Sequence, residues 1–262
     1  MDAAKQMKTT IAFFGDSFVG GYAGWIEYLC KKNNYECINL GKPGADPIFV
    51  IEEWDRFNKS GQTADICVYA HTCTTRLYYP DKSVPFTQGN IEAMFYGYPP
   101  KHLPKKHPAV IAAKHYYDHL DFPSANIMRT KIVPMGVDRY ISDTNKSFSK
   151  IVHMWSFAPH RINKESNRDV AESSWGFDLY SGTNIVLDFA NLCAIEPGSS
   201  ENIKMDQRPN HFSKYATKFV YDVMSTAIAQ PMGTKLDFTP YVNKESTWED
   251  YKEALKKIKE TL

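Results

Sequence analysis

Two short runs, residues 11–14 and 66–70, are apolar without a break: Ile-Ala-Phe-Phe and Ile-Cys-Val-Tyr-Ala. A strand with one wet face alternates apolar and polar residues. An unbroken run suits a strand that is covered on both faces. Parallel sheets provide that cover, because their crossovers lay helices on each side. The segments around the two runs agree. Residues 25–33 place Trp25, Ile26, Leu29 and Cys30 on one helical face, and residues 48–58 do the same with Ile48, Ile51, Trp54 and Phe57. Residues 9–14, 36–40 and 64–71 read as the first three strands.

Residues 77–104 carry many Pro, Tyr and Gly and little periodicity, so a long irregular excursion is expected there on the C-terminal side of the sheet. Helices are expected over 107–120 and 124–142, strands over 149–157 and 184–190, and a loop over most of 163–182. Residues 212–229 form an amphipathic helix through Tyr215, Phe219, Val220 and Val223. Residues 232–243 read as a connector. Ser246-Thr247-Trp248-Glu249 then opens a charged helix whose apolar stripe is Trp248, Tyr251, Leu255 and Ile258. The expectation is an α/β chain with three layers, α/β/α, around a flavodoxin-like, mostly parallel, five-stranded sheet. One domain covers 1–230, with an irregular and helical insertion at about 77–147. The connector and C-terminal helix follow at 231–262. That helix packs back on the domain or serves as a contact with another subunit.

Composition narrows the function. The net charge of +1 offers no field to attract nucleic acid or an anionic membrane surface. No run of about 18 apolar residues exists, and residues 1–8 lack an apolar core. A soluble, cytoplasmic protein with no signal peptide and no membrane span is expected. The cysteine count is five, with no CxxC pair, which points to reduced, buried thiols. The aromatic content of 14% includes enough Tyr and Trp to line a sugar groove, but an aromatic core and loops are the plainer reading. His115 and His119 have a zinc-ligand spacing without a third ligand at a convincing offset, so neither a metal nor an organic cofactor is expected.

In open parallel sheets, ligands bind beyond the carboxyl ends of the strands. Ser17, Gly44, Thr72 and His211 each lie just past a strand end or at a loop-to-helix junction. Gly15-Asp16-Ser17 follows the first apolar run directly. A hydroxyl is a poor nucleophile near neutral pH and needs a general base. His211 has the right chemistry for that base. Donors are also needed for the oxyanion that forms on attack.

These blocks carry a resemblance. The chain resembles the SGNH (GDSL-type) hydrolase family from residue 8 to about residue 230, chiefly in four short stretches. Gly15-Asp16-Ser17 matches the first block, which implies Ser17 as nucleophile. Asn39 to Asp46, reading NLGKPGAD, matches the second, which implies Gly44 N–H as an oxyanion donor. HTCTTR at 71–76 and RPNHFS at 208–213 are worded like members encoded by tailed bacteriophages. Two departures stand out. The third block lacks its Asn; Thr72 takes that position, with His71 as the fallback donor. Arg208 stands where the family has an Asp three residues before its His, so the orienting acid falls to Asp206. Arg76 opens the excursion and can reach substrate. The resemblance implies a serine esterase that removes a small acyl group, such as acetyl, from a carbohydrate or other small ester. The alternative is a catalytically weak protein of the same fold that binds a glycan or a protein partner.

Overall fold

The computed structural model describes residues 8–16, 18–20, 24–72, 77, 107–120, 123–156, 182–187, 192, 214–238, 240–242 and 246–262. Six strands, β1 (Thr10–Phe14), β2 (Glu36–Asn39), β3 (Ile66–Ala70), β4 (Lys150–Ser156), β5 (Thr183–Leu187) and β6 (Lys235–Asp237), form one sheet in the order β2-β1-β3-β4-β5-β6. Every pair is parallel. The helices are α1 (Gly24–Asn33), α2 (Pro47–Ser60), α3 (Pro108–His119), α4 (Pro123–Thr144), α5 (Lys214–Ala229) and α6 (Trp248–Thr261).

The period of two along each strand splits the core into two layers. Ile11, Phe13, Ile66, Val68, Val152, Met154, Ile185 and Leu187 face α1, α5 and α6. Ala12, Phe14, Cys67, Tyr69 and Ile151 face α2 and α4, where Phe14, Trp54, Phe57 and Phe148 meet edge to face and stacked. The expected three-layer α/β/α class is therefore the observed one. The sheet has six strands rather than five. β6 is only three residues long, within the segment read as a connector, and three residues are too few for a periodic signal.

Local chemistry sets the element ends. α1 stops at Asn33, where Asn34 takes a left-handed φ of 55° and Tyr35 N–H bonds Cys30 C=O at 2.9 Å, a Schellman closure. The turn brings Cys30 and Cys37 to a Cα separation of 6.5 Å, and they are joined as a disulfide. That corrects the expectation of reduced thiols for this pair. Cys67 is free and buried. α5 ends with Lys150 Nζ donating to the carbonyls of Ala227, Ile228 and Gln230, which ties β4 to that helix. The α6 stripe is buried on the chain's own core: Phe219 of α5 meets Trp248 and Tyr251 edge-on at 5.6 and 5.7 Å. No helix among the described residues is long and apolar enough to cross a membrane.

Candidate active site

Chain order along the sheet reverses between β1 and β3, because β2 lies to one side of β1 and all later strands to the other. This is the switch point at which parallel sheets open a crevice beyond the strand ends. Phe14 pairs with Tyr69 in the last register step of β1 and β3. Gly15 follows, so close to β3 that a Cβ there would fall 2.8 Å from Ala70 Cβ.

The loop after β1 is a tight turn built on Asp16, which is 4% exposed. Its carboxylate accepts Phe18 N–H at 3.0 Å, and its carbonyl accepts Val19 and Gly20 N–H at 3.1 and 2.6 Å. α1 begins at Gly24, one residue before the start expected from the sequence. The loop after β2 locks onto it. Asn39 Nδ2 donates to Val19 C=O at 2.9 Å, while Asn39 Oδ1 accepts Gly41 N–H at 2.9 Å. Lys42 N–H donates to Gly15 C=O at 3.0 Å. Gly20 and Gly41 meet backbone to backbone: a Cβ on Gly20 would lie 2.5 Å from Gly41 C and O.

Gly44 occupies the third position of a turn closed by Ala45 N–H to Lys42 C=O at 3.0 Å. Pro43 precedes it and its φ is +77°, the signature of a type II turn that favours glycine. Its own N–H has no acceptor among the described residues. Asp46 then caps α2, its Oδ1 accepting Ile48 and Phe49 N–H at 2.8 and 3.1 Å. Burial pushes the Asp46 carboxyl up from its ordinary value, against the pull of those two N–H groups.

Beyond β3, Thr72 is 8% exposed and its hydroxyl has no hydrogen-bond partner. A buried, unpaired hydroxyl is costly, which makes it a candidate for a group that works only with ligand present. His71, beside it, is partly buried. Its Nε2 lies 2.9 Å from His153 Nδ1, and its ring stacks flat on Trp155, 3.3 Å between centroids at 9°. His153 is fully buried. Its Nε2 sits 3.2 Å from Asp138 Oδ1 of α4, close enough for an ion pair but outside hydrogen-bond geometry. Trp155 Nε1 donates to Asn184 Oδ1 at 3.0 Å, and Asn184 Nδ2 to Gly182 C=O at 3.0 Å. Gly182 must lack a side chain, since a Cβ would reach within 2.8 Å of His153 Cδ2. Burial, and then the neighbouring His153, hold the His71 imidazole well below its ordinary pKa.

Gly44, Thr72 and His71 of the sequence-derived set thus sit on loops or strand ends at the carboxyl edge of β1–β3. Ser17, Arg76, Asp206 and His211 lie outside the described residues. His153, Asp138 and Trp155 were missed. A signal existed for one of them: His153 interrupts the apolar strand Ile-Val-His-Met-Trp. Among the described residues no group of three or more His, Cys, Asp or Glu could hold a metal ion.

No known family's sequence profile matches the chain, and no curated protein matches it. Several solved structures are distantly similar to it. One is LAE5, an α/β hydrolase enzyme from the metagenome of Lake Arreo, Spain, at 10% identity and a TM-score of 0.44, covering 84% of this chain and 94% of that one. Another is a catalytic mutant of Axe2, an acetylxylan esterase from Geobacillus stearothermophilus, at 9% and 0.44, covering 86% and 97%. A third is the psychrotrophic esterase EstA from Pseudoalteromonas sp., at 11% and 0.42, covering 84% and 97%. Likenesses this distant carry no argument about chemistry.

Proposed function

We propose that the chain is a serine ester hydrolase of the SGNH type that removes a small acyl group, such as acetyl, from a carbohydrate or another small ester. Ser17 attacks the ester carbonyl. His211, oriented by Asp206, takes the serine proton and passes it to the leaving alkoxide. Gly44 N–H and the Thr72 hydroxyl, with Ser17 N–H, receive the oxyanion. Arg76 contacts the substrate. Water then hydrolyses the acyl-enzyme, with His211 again as the base.

One observation carries this reading: an N–H at Gly44 and a buried hydroxyl at Thr72, both without a partner among the described residues, belong to the carboxyl edge where the turn of Gly15 and Asp16 leaves β1. Two donors without acceptors among the described residues, beside the turn of Gly15 and Asp16, suit a site whose acceptor arrives with the substrate.

The test is a fluorophosphonate probe followed by peptide mass spectrometry. Labelling at Ser17 that disappears in His211→Ala is the expected result. A folded protein that leaves Ser17 unlabelled overturns the esterase reading and favours a glycan- or protein-binding role for the same fold.

A further inference from the structure

Cys30 and Cys37 are joined across the turn from α1 to β2, seven residues apart, and nothing in the proposed ester hydrolysis uses them. The two ends of the bond differ. Cys30, in the last turn of α1, is 9% exposed and packs in the core layer with Trp25, Ile26 and Leu29. Cys37, on β2, is exposed. In thiol–disulfide exchange a thiolate must reach one of the two sulfurs, so access chooses which one is attacked. A thiol in solution therefore meets the Cys37 end first, and the buried Cys30 sulfur is the one that leaves. The turn keeps the pair close afterwards, because Tyr35 N–H on Cys30 C=O at 2.9 Å closes it without the sulfurs.

The bond holds the sheet edge. β2 is the first strand in the order, so β1 is its only strand neighbour, and three of its four residues are exposed. The disulfide ties this strand covalently to α1. Two residues past Cys37, and on the same side of the strand, Asn39 donates to Val19 C=O and accepts from Gly41 N–H. Those two contacts join the loop after β2 to the loop after β1.

We infer that the Cys30–Cys37 bond is a reversible redox clamp on the edge strand, opened at Cys37 by a small thiol such as glutathione. The first thiolate forms a mixed disulfide with Cys37 Sγ. The Cys30 sulfur leaves with the electron pair and takes a proton. A second thiolate attacks the mixed disulfide at the glutathione sulfur, the two glutathiones depart as their own disulfide, and Cys37 takes a proton. Two thiols thus give two electrons to the one bond, and glutathione disulfide runs both steps backwards. With the clamp open, β2 keeps its ladder to β1 but loses its covalent tie to α1, and it opens locally more often. This clamp belongs to the scaffold of the loops and holds for any reaction run there.

Two measurements on the full chain test it. The first maps thiol capture by peptide mass spectrometry. In Cys30→Ser treated with glutathione disulfide, Cys37 is expected to take up one glutathione. In Cys37→Ser, Cys30 is expected to do so at least about 10-fold more slowly. Equal rates, or faster capture at Cys30, overturn the order of attack. If neither variant folds, the mixed disulfide of the wild type, trapped with acid soon after glutathione is added, gives the same answer. The second is hydrogen exchange on the wild type, oxidised with glutathione disulfide and then reduced with glutathione. The reporters are Glu36 N–H on Thr9 C=O at 2.9 Å, Leu40 N–H on Phe13 C=O at 2.8 Å and Lys42 N–H on Gly15 C=O at 3.0 Å. They are expected to exchange about 10-fold faster after reduction. His71 N–H, on Met154 C=O at 2.9 Å, is expected to keep its rate. A folded Cys37→Ser is expected to match the reduced wild type and to change no further with glutathione, which separates this pair from the other cysteines. Unchanged exchange on reduction, equal speeding of the whole sheet, or free thiols at both positions in the oxidised protein overturns the clamp.

Discussion

Thr72 is where the chain carries a cost with no visible return in the folded state alone. A buried hydroxyl without a partner loses its hydration and gains nothing. Thr72→Val has nearly the same shape and removes that cost. It is expected to leave the urea midpoint unchanged or raise stability by roughly 1 kcal/mol, while slowing ester turnover by about 100-fold, as loss of one oxyanion donor does. Parallel urea unfolding and ester kinetics on the variant check both parts. A loss of stability with normal turnover would make Thr72 an ordinary strand-end residue. The residue scale was only partly legible beforehand. Gly44 and Thr72 came from short sequence blocks that resemble a known family and lie just past strand ends, which a sequence displays. The line from Asp138 through His153 to His71 joins side chains far apart in the chain, through a register that only the folded sheet supplies.

Among the elements, α2 shows how one side chain serves a helix end at an electrostatic cost. Asp46 caps the helix but is nearly buried, and burial raises its carboxyl pKa from the ordinary value. A group whose folded pKa is raised stabilises the fold below its unfolded pKa, and that contribution is lost as pH rises through the folded pKa. Asp46→Asn keeps the cap without the charge. Its stability relative to wild type is therefore expected to improve as pH climbs from the carboxylate range to neutrality. Asp46→Ala is expected to cost about 1 kcal/mol through the lost cap. Urea unfolding of the three proteins at several pH values tests the sign, and an Asn variant that loses ground with rising pH would refute it. α6 is held by its packing. Leu255→Ala, at a site 7% exposed, is expected to cost roughly 2–5 kcal/mol. Lys256→Ala on the wet side is expected to cost almost nothing, since its partner Glu253 is 4.0 Å away and exposed. Thermal melts at two protein concentrations check this, and a Leu255→Ala effect that vanishes at high concentration would move the stripe's contact from this chain to a second copy. Most element positions were legible because helices and buried strands of five or more residues write their period into the sequence. β6, at three residues, is too short to do so.

At the scale of the molecule, the apolar strands and the helical segments between them already imply a parallel sheet with cover on both faces, and the strand order bears this out. The pairing of Cys30 with Cys37 was not implied, because seven residues of separation say nothing until the turn after α1 has its shape. The backbone contact of Gly20 with Gly41 has a practical consequence for anyone wishing to alter what this protein accepts. Those two loops fit like a key cut to one lock, and neither has room for even a methyl group at the meeting point. Libraries randomised there would return mostly damaged protein. Diversity is better spent on positions that border the crevice without holding it together.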